Sequence, residues 1–234
     1  MMRRGRRHMR KILSLFSVTA AAFFLGVGAS GLAEEHAPSP VTPKAAVEKL
    51  KEGNARFVEG KRLPRDYRSQ VAATAGGQHP FAAVVSCMDS RAPVEVVFDE
   101  GIGDVFSLRV AGNVVDPNFL GSLEYAAKVV GVRLILVMGH TECGAVKGAI
   151  DDVKLGNLTG LLAEIGPAIA ASGPKGSSKD AAYVNKVAEQ NVRVAIKEIR
   201  EKSPILREMI DSGALGLAGA LYSVQNGRVT FLTD

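Results

Sequence analysis

Two unbroken apolar runs dominate the hydrophobic pattern of the chain, Phe-Ala-Ala-Val-Val at 81–85 and Leu-Ile-Leu-Val-Met at 134–138. Neither alternates with polar residues, so each predicts a strand buried on both faces of a parallel sheet. A further strand is predicted over 104–110, entered through Gly101-Ile102-Gly103. Another is predicted over 214–224, where small apolar residues replace any clear alternation. Gln225-Asn226-Gly227 then turns the chain into an antiparallel edge strand over 228–232. Helical signals fill the intervals. Thr42 and Pro43 open a helix to about 58, with Ala46, Leu50 and Phe57 as its apolar face. Shorter helices are predicted at 66–75 and 93–98, and one between Pro117 and Gly131 covers 117–130. Helices at 144–154, 158–171, 181–202 and 204–212 follow, with a surface loop at 173–178. The expected fold class is α/β: a mainly parallel central sheet of four strands plus an antiparallel edge strand, flanked by helices, with an amino-terminal helical arm.

Composition changes this picture at one end only. The 234 residues are 47% hydrophobic, enough for one sizeable core, and carry a formal charge of +5. That excess comes from Arg3, Arg4, Arg6, Arg7, Arg10 and Lys11, with no acidic residue before Glu34. The remainder is close to neutral, which argues against a nucleic-acid partner. A basic start, an apolar stretch over 12–27 and small residues before Glu34 have the layout of a signal peptide over 1–33. An uncleaved membrane anchor is the other reading of the same segment. Pro38, Pro40 and Pro43 mark 34–43 as a linker, leaving 44–234 as a single domain. The expected location is periplasmic or secreted.

The chemistry gathers where the two apolar runs end. The first delivers Cys87, Asp89 and Arg91 at every second position, and the second ends in Gly139-His140-Thr141-Glu142-Cys143-Gly144. Ligands of open α/β sheets bind at this carboxyl edge. Cys87 and Cys143 are the only cysteines. In an exported protein two cysteines suggest a disulfide, but a disulfide needs neither His140 nor an Asp-Arg pair. Cys87, His140 and Cys143 instead suit a zinc ion with one position left for water. Asp89 can accept a hydrogen bond from that water or become the fourth ligand, and Arg91 can hold Asp89 by a charge-assisted pair. A purely structural Cys-Cys-His-Asp site is the competing reading. His36 and His79 read as solvated, Gln78 as an exposed polar residue able to reach the mouth of the site, and Phe106 and Tyr125 as core aromatics.

These residues resemble a β-class carbonic anhydrase. Cys87-Met88-Asp89-Ser90-Arg91 and His140-Thr141-Glu142-Cys143-Gly144 match the family's two signature motifs. Glu52-Gly53-Asn54-Ala55-Arg56-Phe57, Arg109-Val110-Ala111-Gly112-Asn113 and Glu124-Tyr125 match its supporting ones. The resemblance implies reversible hydration of carbon dioxide to bicarbonate and a proton, by zinc-bound hydroxide on Cys87, His140 and Cys143. It implies that Asp89 orients the hydroxide while Arg91 keeps Asp89 off the metal, and that Asp89 ligates zinc in a closed state. Gln78 aligns with a residue that hydrogen-bonds substrate oxygen, and Phe106, Ala111 and Tyr125 with the apolar substrate pocket. A homodimer or homotetramer is implied, with the cleft at the dimer interface. The same scaffold leaves two alternatives, a carbon disulfide or carbonyl sulfide hydrolase and a non-catalytic zinc module.

Overall fold

The computed structural model describes residues 41–233. The signal peptide expected over 1–33, and the linker up to residue 40, lie outside the described residues. Of the expected linker, Val41 already packs on the core, Thr42 caps the first helix and Pro43 is that helix's first residue.

The elements run α1 (Pro43–Val58), α2 (Tyr67–Thr74), β1 (Ala82–Ser86), α3 (Val94–Val97), β2 (Val105–Arg109), α4 (Pro117–Glu124), β3 (Leu134–His140) and α5 (Gly144–Ile150). They continue as α6 (Gly156–Ala163), α7 (Gly166–Ala171), α8 (Ala181–Lys202), α9 (Pro204–Asp211), β4 (Gly216–Tyr222) and β5 (Val229–Phe231). The five strands form one sheet in the order β2-β1-β3-β4-β5, parallel except for β5. This is the architecture expected from the apolar runs.

Two helices depart from expectation. The segment expected as one helix over 158–171 is α6 and α7, because Pro167 has no N–H to give and its ring clashes with the preceding turn. The helix expected over 117–130 is α-helical only to Glu124. It widens into a π-turn, Tyr125–Val130, before Gly131 ends it in a left-handed conformation.

Because β1 and β3 are buried throughout, the period of two along each strand divides the core into two layers. Ala83, Val85, Ile135 and Val137 face α4, α8 and α9, packing on Leu123, Val192, Ile199 and Leu206. Ala82, Val84, Leu134, Leu136 and Met138 face α1 and α3, packing on Ala46, Leu50, Val97 and Phe98. On α1 the buried face is Ala46, Leu50, Gly53 and Asn54, while Phe57 stays half-buried. Asn54 donates to the carbonyls of Val97 and Gly227 and accepts from Val229 N–H, so a polar residue joins α1 to α3 and the terminal hairpin.

This topology fixes where a ligand can sit. The chain passes from β1 to β2 on one side, then returns to β3 on the other. The carboxyl ends of β1 and β3 therefore flank a topological switch point.

Candidate metal centre

The register pairs Ser86 with Met138, so Cys87, the next residue after β1, emerges level with the end of β3, where His140 is the last strand residue. A turn through Glu142, at φ 57°, brings Cys143 back to the same point as the residue capping α5. The ligand atoms of Cys87, His140 and Cys143 all lie within 4.8 Å of one another, and all three residues are buried. Their sulfurs are 4.0 Å apart and both cysteines are free, so the disulfide reading fails on geometry.

Three observations fit a soft metal ion here. Two thiolates on a tetrahedral zinc with bonds of about 2.3 Å stand about 3.8 Å apart, close to the separation seen. His140 Nδ1 faces the Thr141 carbonyl at 2.9 Å, which makes Nδ1 the protonated nitrogen and leaves Nε2 with a lone pair. That Nε2 is buried with no hydrogen-bond partner. The sulfurs themselves are poised: the Cys87 thiol is pushed down to about 4, chiefly by a hydrogen bond from Cys143, with His140 and the Gly112 and Asp89 backbone adding to it. The Cys143 thiol moves up through the same contact and through burial. The contact between the two sulfurs therefore favours the charged form of Cys87, the form in which a thiol ligates a metal.

Asp89 stands at the edge of the cluster, its Oδ2 3.8 Å from His140 Nε2. Arg91 grips it with Nε on Oδ1 at 2.9 Å and Nη2 on Oδ2 at 2.7 Å, and the Arg91 N–H adds a bond to Oδ1. This fork holds the Asp89 carboxyl well below the usual carboxylate range, partly opposed by burial, and raises Arg91 in return. Other side chains hold the loop itself. Arg109, at the end of β2, donates to the Cys87 and Asp89 carbonyls at 3.1 and 2.5 Å, and Tyr222, at the end of β4, donates to the Arg91 carbonyl at 3.1 Å. Each strand that borders β1 or β3 therefore contributes an end residue to the site. Arg109 was visible only as part of a motif, and Tyr222 carried no signal in the sequence at all.

The residues aligned with a substrate pocket are spread through the chain. Ala111 adjoins Gly112, whose N–H donates to Cys87 Sγ at 3.3 Å. Phe106 pairs with Ala83, about 13 Å along the strand from Cys87, and packs against the core. Gln78 lies in the exposed loop ahead of β1, beyond the strand's other end, and Tyr125 is half-exposed where the π-turn begins. One chain thus brings Ala111 to the cluster, leaves Gln78 and Phe106 toward the other end of β1, and leaves Tyr125 open to solvent.

Two cysteine sulfurs and an imidazole nitrogen beside a held carboxylate, at the carboxyl edge of an open α/β sheet, form a candidate metal site, and fold and cluster together describe the class of α/β proteins able to bind a metal there. Comparison with known proteins narrows that class. The profile of the family described as carbonic anhydrase matches residues 82–229, and the chain belongs to this family. It is 37% identical to carbonic anhydrase 2 of Mycobacterium tuberculosis over 188 residues, covering 80% of this chain and 91% of that protein. It is 32% identical to a carbonic anhydrase of Pseudomonas aeruginosa over 188 residues, covering 75% and 84%. Among solved structures it superposes on a β-carbonic anhydrase of Aspergillus fumigatus with a TM-score of 0.64 and 28% identity, covering 81% of this chain and 89% of that one. A β-carbonic anhydrase of Sordaria macrospora, described as tetrameric, matches with a TM-score of 0.63 and 27% identity, covering 71% and 91%. The β class expected from the two signature motifs is therefore the class of its relatives.

Proposed function

We propose that the protein catalyses the reversible hydration of carbon dioxide to bicarbonate and a proton with one zinc ion per subunit. The observation that carries this reading is the buried, unpartnered Nε2 of His140 facing two cysteine sulfurs beside Asp89, in a chain of the carbonic anhydrase family. Cys87, His140 and Cys143 would hold the ion. When bound, zinc supplies the Lewis acidity that makes water a nucleophile near neutral pH.

The chain's own residues do the rest. Asp89, kept ionised by Arg91, accepts a hydrogen bond from the nucleophile and aims it at carbon. Arg91 engages both carboxylate oxygens and so holds Asp89 off the metal; release of that fork would let Asp89 take the fourth position in a closed state. Gln78 would hydrogen-bond substrate oxygen, while Phe106, Ala111 and Tyr125 would line an apolar pocket suited to carbon dioxide. Because one chain leaves Gln78 and Phe106 away from the cluster and Tyr125 half-exposed, their role requires a second copy of the chain, in a homodimer or homotetramer. The tetrameric Sordaria relative supports that assembly. The basic and apolar leader supports export to the periplasm or beyond.

The test is stopped-flow carbon dioxide hydration from about pH 6.5 to 9, with zinc counted on the same sample. Activity that rises with pH and disappears when zinc is removed supports the reading. Stoichiometric zinc without hydration rejects it, and turnover of carbonyl sulfide by that sample would favour the alternative substrate.

A further inference from the structure

Behind the metal centre runs α8, the longest helix among the described residues. It comes unusually near the ligand-bearing strand: a Cβ on Gly139, next to His140, would lie 2.8 Å from Val192 Cγ2 and 3.2 Å from the Ala188 carbonyl. Only a glycine lets the helix approach so closely, and that approach puts two α8 asparagines within reach of two separate loops.

Asn191 is 3% exposed, and its Nδ2 donates to the Gly112 carbonyl at 2.6 Å. Gly112 is left-handed at φ 69°, and Asn113 follows at φ 45°. This conformation aims the Gly112 N–H at Cys87 Sγ. Gly112 is also wedged on its outer side, since a Cβ there would meet Ile165 Cδ1 at 2.8 Å. Six residues earlier, Asn185 Oδ1 accepts the Glu142 N–H at 3.0 Å. Glu142 is the left-handed residue between the two ligands His140 and Cys143. Backbone of this kind costs free energy outside glycine and persists where its surroundings hold it. Both turns beside the ligands are of that kind, and each is tied by an asparagine from the same helix.

We infer that Asn191 and Asn185 are positioning residues that set the metal centre from behind, Asn191 by holding the Gly112 N–H on the Cys87 sulfur and Asn185 by holding the His140–Cys143 turn. The inference rests on the reading of Cys87, His140 and Cys143 as a zinc site. The two act differently. An N–H donated to a thiolate stabilises the charged sulfur and draws electron density from it, so the sulfur gives less charge to the metal. A site with two thiolates is rich in donated charge, and this bond tempers it. Asn185 touches no ligand atom and acts only through the backbone path between two ligands. An asparagine suits both tasks because its neutral amide both donates and accepts without adding charge beside the metal.

The experiment compares the unmutated protein with Asn191→Leu and Asn185→Leu, as full chains, by zinc affinity against a competing chelator and by the sulfur-to-metal charge-transfer band of the cobalt(II) form. Both variants should bind zinc roughly tenfold to a hundredfold more weakly. Asn191→Leu should also move the charge-transfer band, while Asn185→Leu should leave its energy unchanged. Unaltered affinity and band in a folded Asn191→Leu protein would overturn the inference. Failure of the unmutated chain to bind zinc or cobalt would instead reject the metal reading on which it rests. Should Asn191→Leu not fold, the cadmium-113 form of the unmutated protein decides: the Gly112 amide proton should couple to the metal through sulfur, and absence of that coupling overturns the role of Asn191.

Discussion

Arg91 and Asp89 form a two-toothed fork at the mouth of the metal centre, and the His140 nitrogen left for a metal lies 3.8 Å from the carboxylate it holds. The arginine occupies both oxygens of that carboxylate. Its own guanidinium side is half-exposed, so the fork opens toward solvent.

Replacing Asp89 by alanine should therefore leave zinc in place and reduce carbon dioxide hydration by about a hundredfold or more, the usual scale for loss of a group that positions a reacting proton. Arg91→Ala should also lose activity, because the released carboxylate becomes free to ligate. Metal content and stopped-flow rates on the same samples check both. Full activity in the Asp89→Ala protein would remove Asp89 from the mechanism.

Cys143→Ser should abolish stoichiometric zinc, since Cys143 is 1% exposed and its sulfur belongs to the cluster. A serine hydroxyl at that position offers no soft anionic ligand. Metal analysis after dialysis against a chelator gives the answer, and retention of one zinc per chain would show that Cys143 is not a ligand.

Glu100 offers a pH-dependent test away from the centre. Its side chain is 2% exposed, with Lys49 Nζ 3.5 Å from Oε2 and Oε1 unpartnered. Burial pushes its carboxyl up to about 7 from an ordinary value of 4.5; Lys49 opposes this shift and Asp104 adds to it. The folded state thus prefers the protonated acid, and that preference stabilises fully below about pH 4.5 and is lost as the pH rises through 7. Glu100→Gln does not titrate, so its stability should gain on the unmutated protein over this window, by up to about 3 kcal/mol. Denaturant unfolding at about pH 5 and about pH 8 measures the gap, and an equal difference at both would refute the assignment.

Asp99 ties the amino-terminal arm to the core. It is fully buried and left-handed at φ 49°, with Arg56 Nε on Oδ2 at 2.6 Å, Arg65 Nη1 on Oδ1 at 2.7 Å and the Leu63 N–H on Oδ2. Burial works against its charge, yet Arg56, Leu63 and Arg65 together hold it below the usual carboxylate range. Asp99→Asn should cost about 3–5 kcal/mol, the scale for removing one partner of a buried ion pair. It should also make the segment between α1 and α2 a preferred site for limited proteolysis. An unchanged unfolding midpoint and unchanged cleavage would show that the arm is held by α1 packing alone.

Much of this protein is legible in its sequence. The two apolar runs announced β1 and β3 because strands covered on both faces admit no polar alternation, and the ligands stood at their ends in the chain's own order. Local residues also set the starts of α1 and α4, where a capping side chain and a proline act within one turn. The break at Pro167 was just as local, and the helical period on either side of it masked it.

What the chain's order left open was everything that depends on residues distant in sequence. Sequence alone determined the fold class, through the apolar runs, and the pairs Asp89-Arg91 and His140-Cys143, for which a spacing of two or three residues suffices. Tertiary structure decided that Cys87 meets His140 and Cys143, that Arg109 and Tyr222 brace the loop, and that Asn185 and Asn191 reach the ligand turns. These contacts span from about 20 to more than 130 positions, and no local period encodes them. They exist because parallel strands in register bring their carboxyl ends to one edge, and because Gly139 lets α8 close behind that edge.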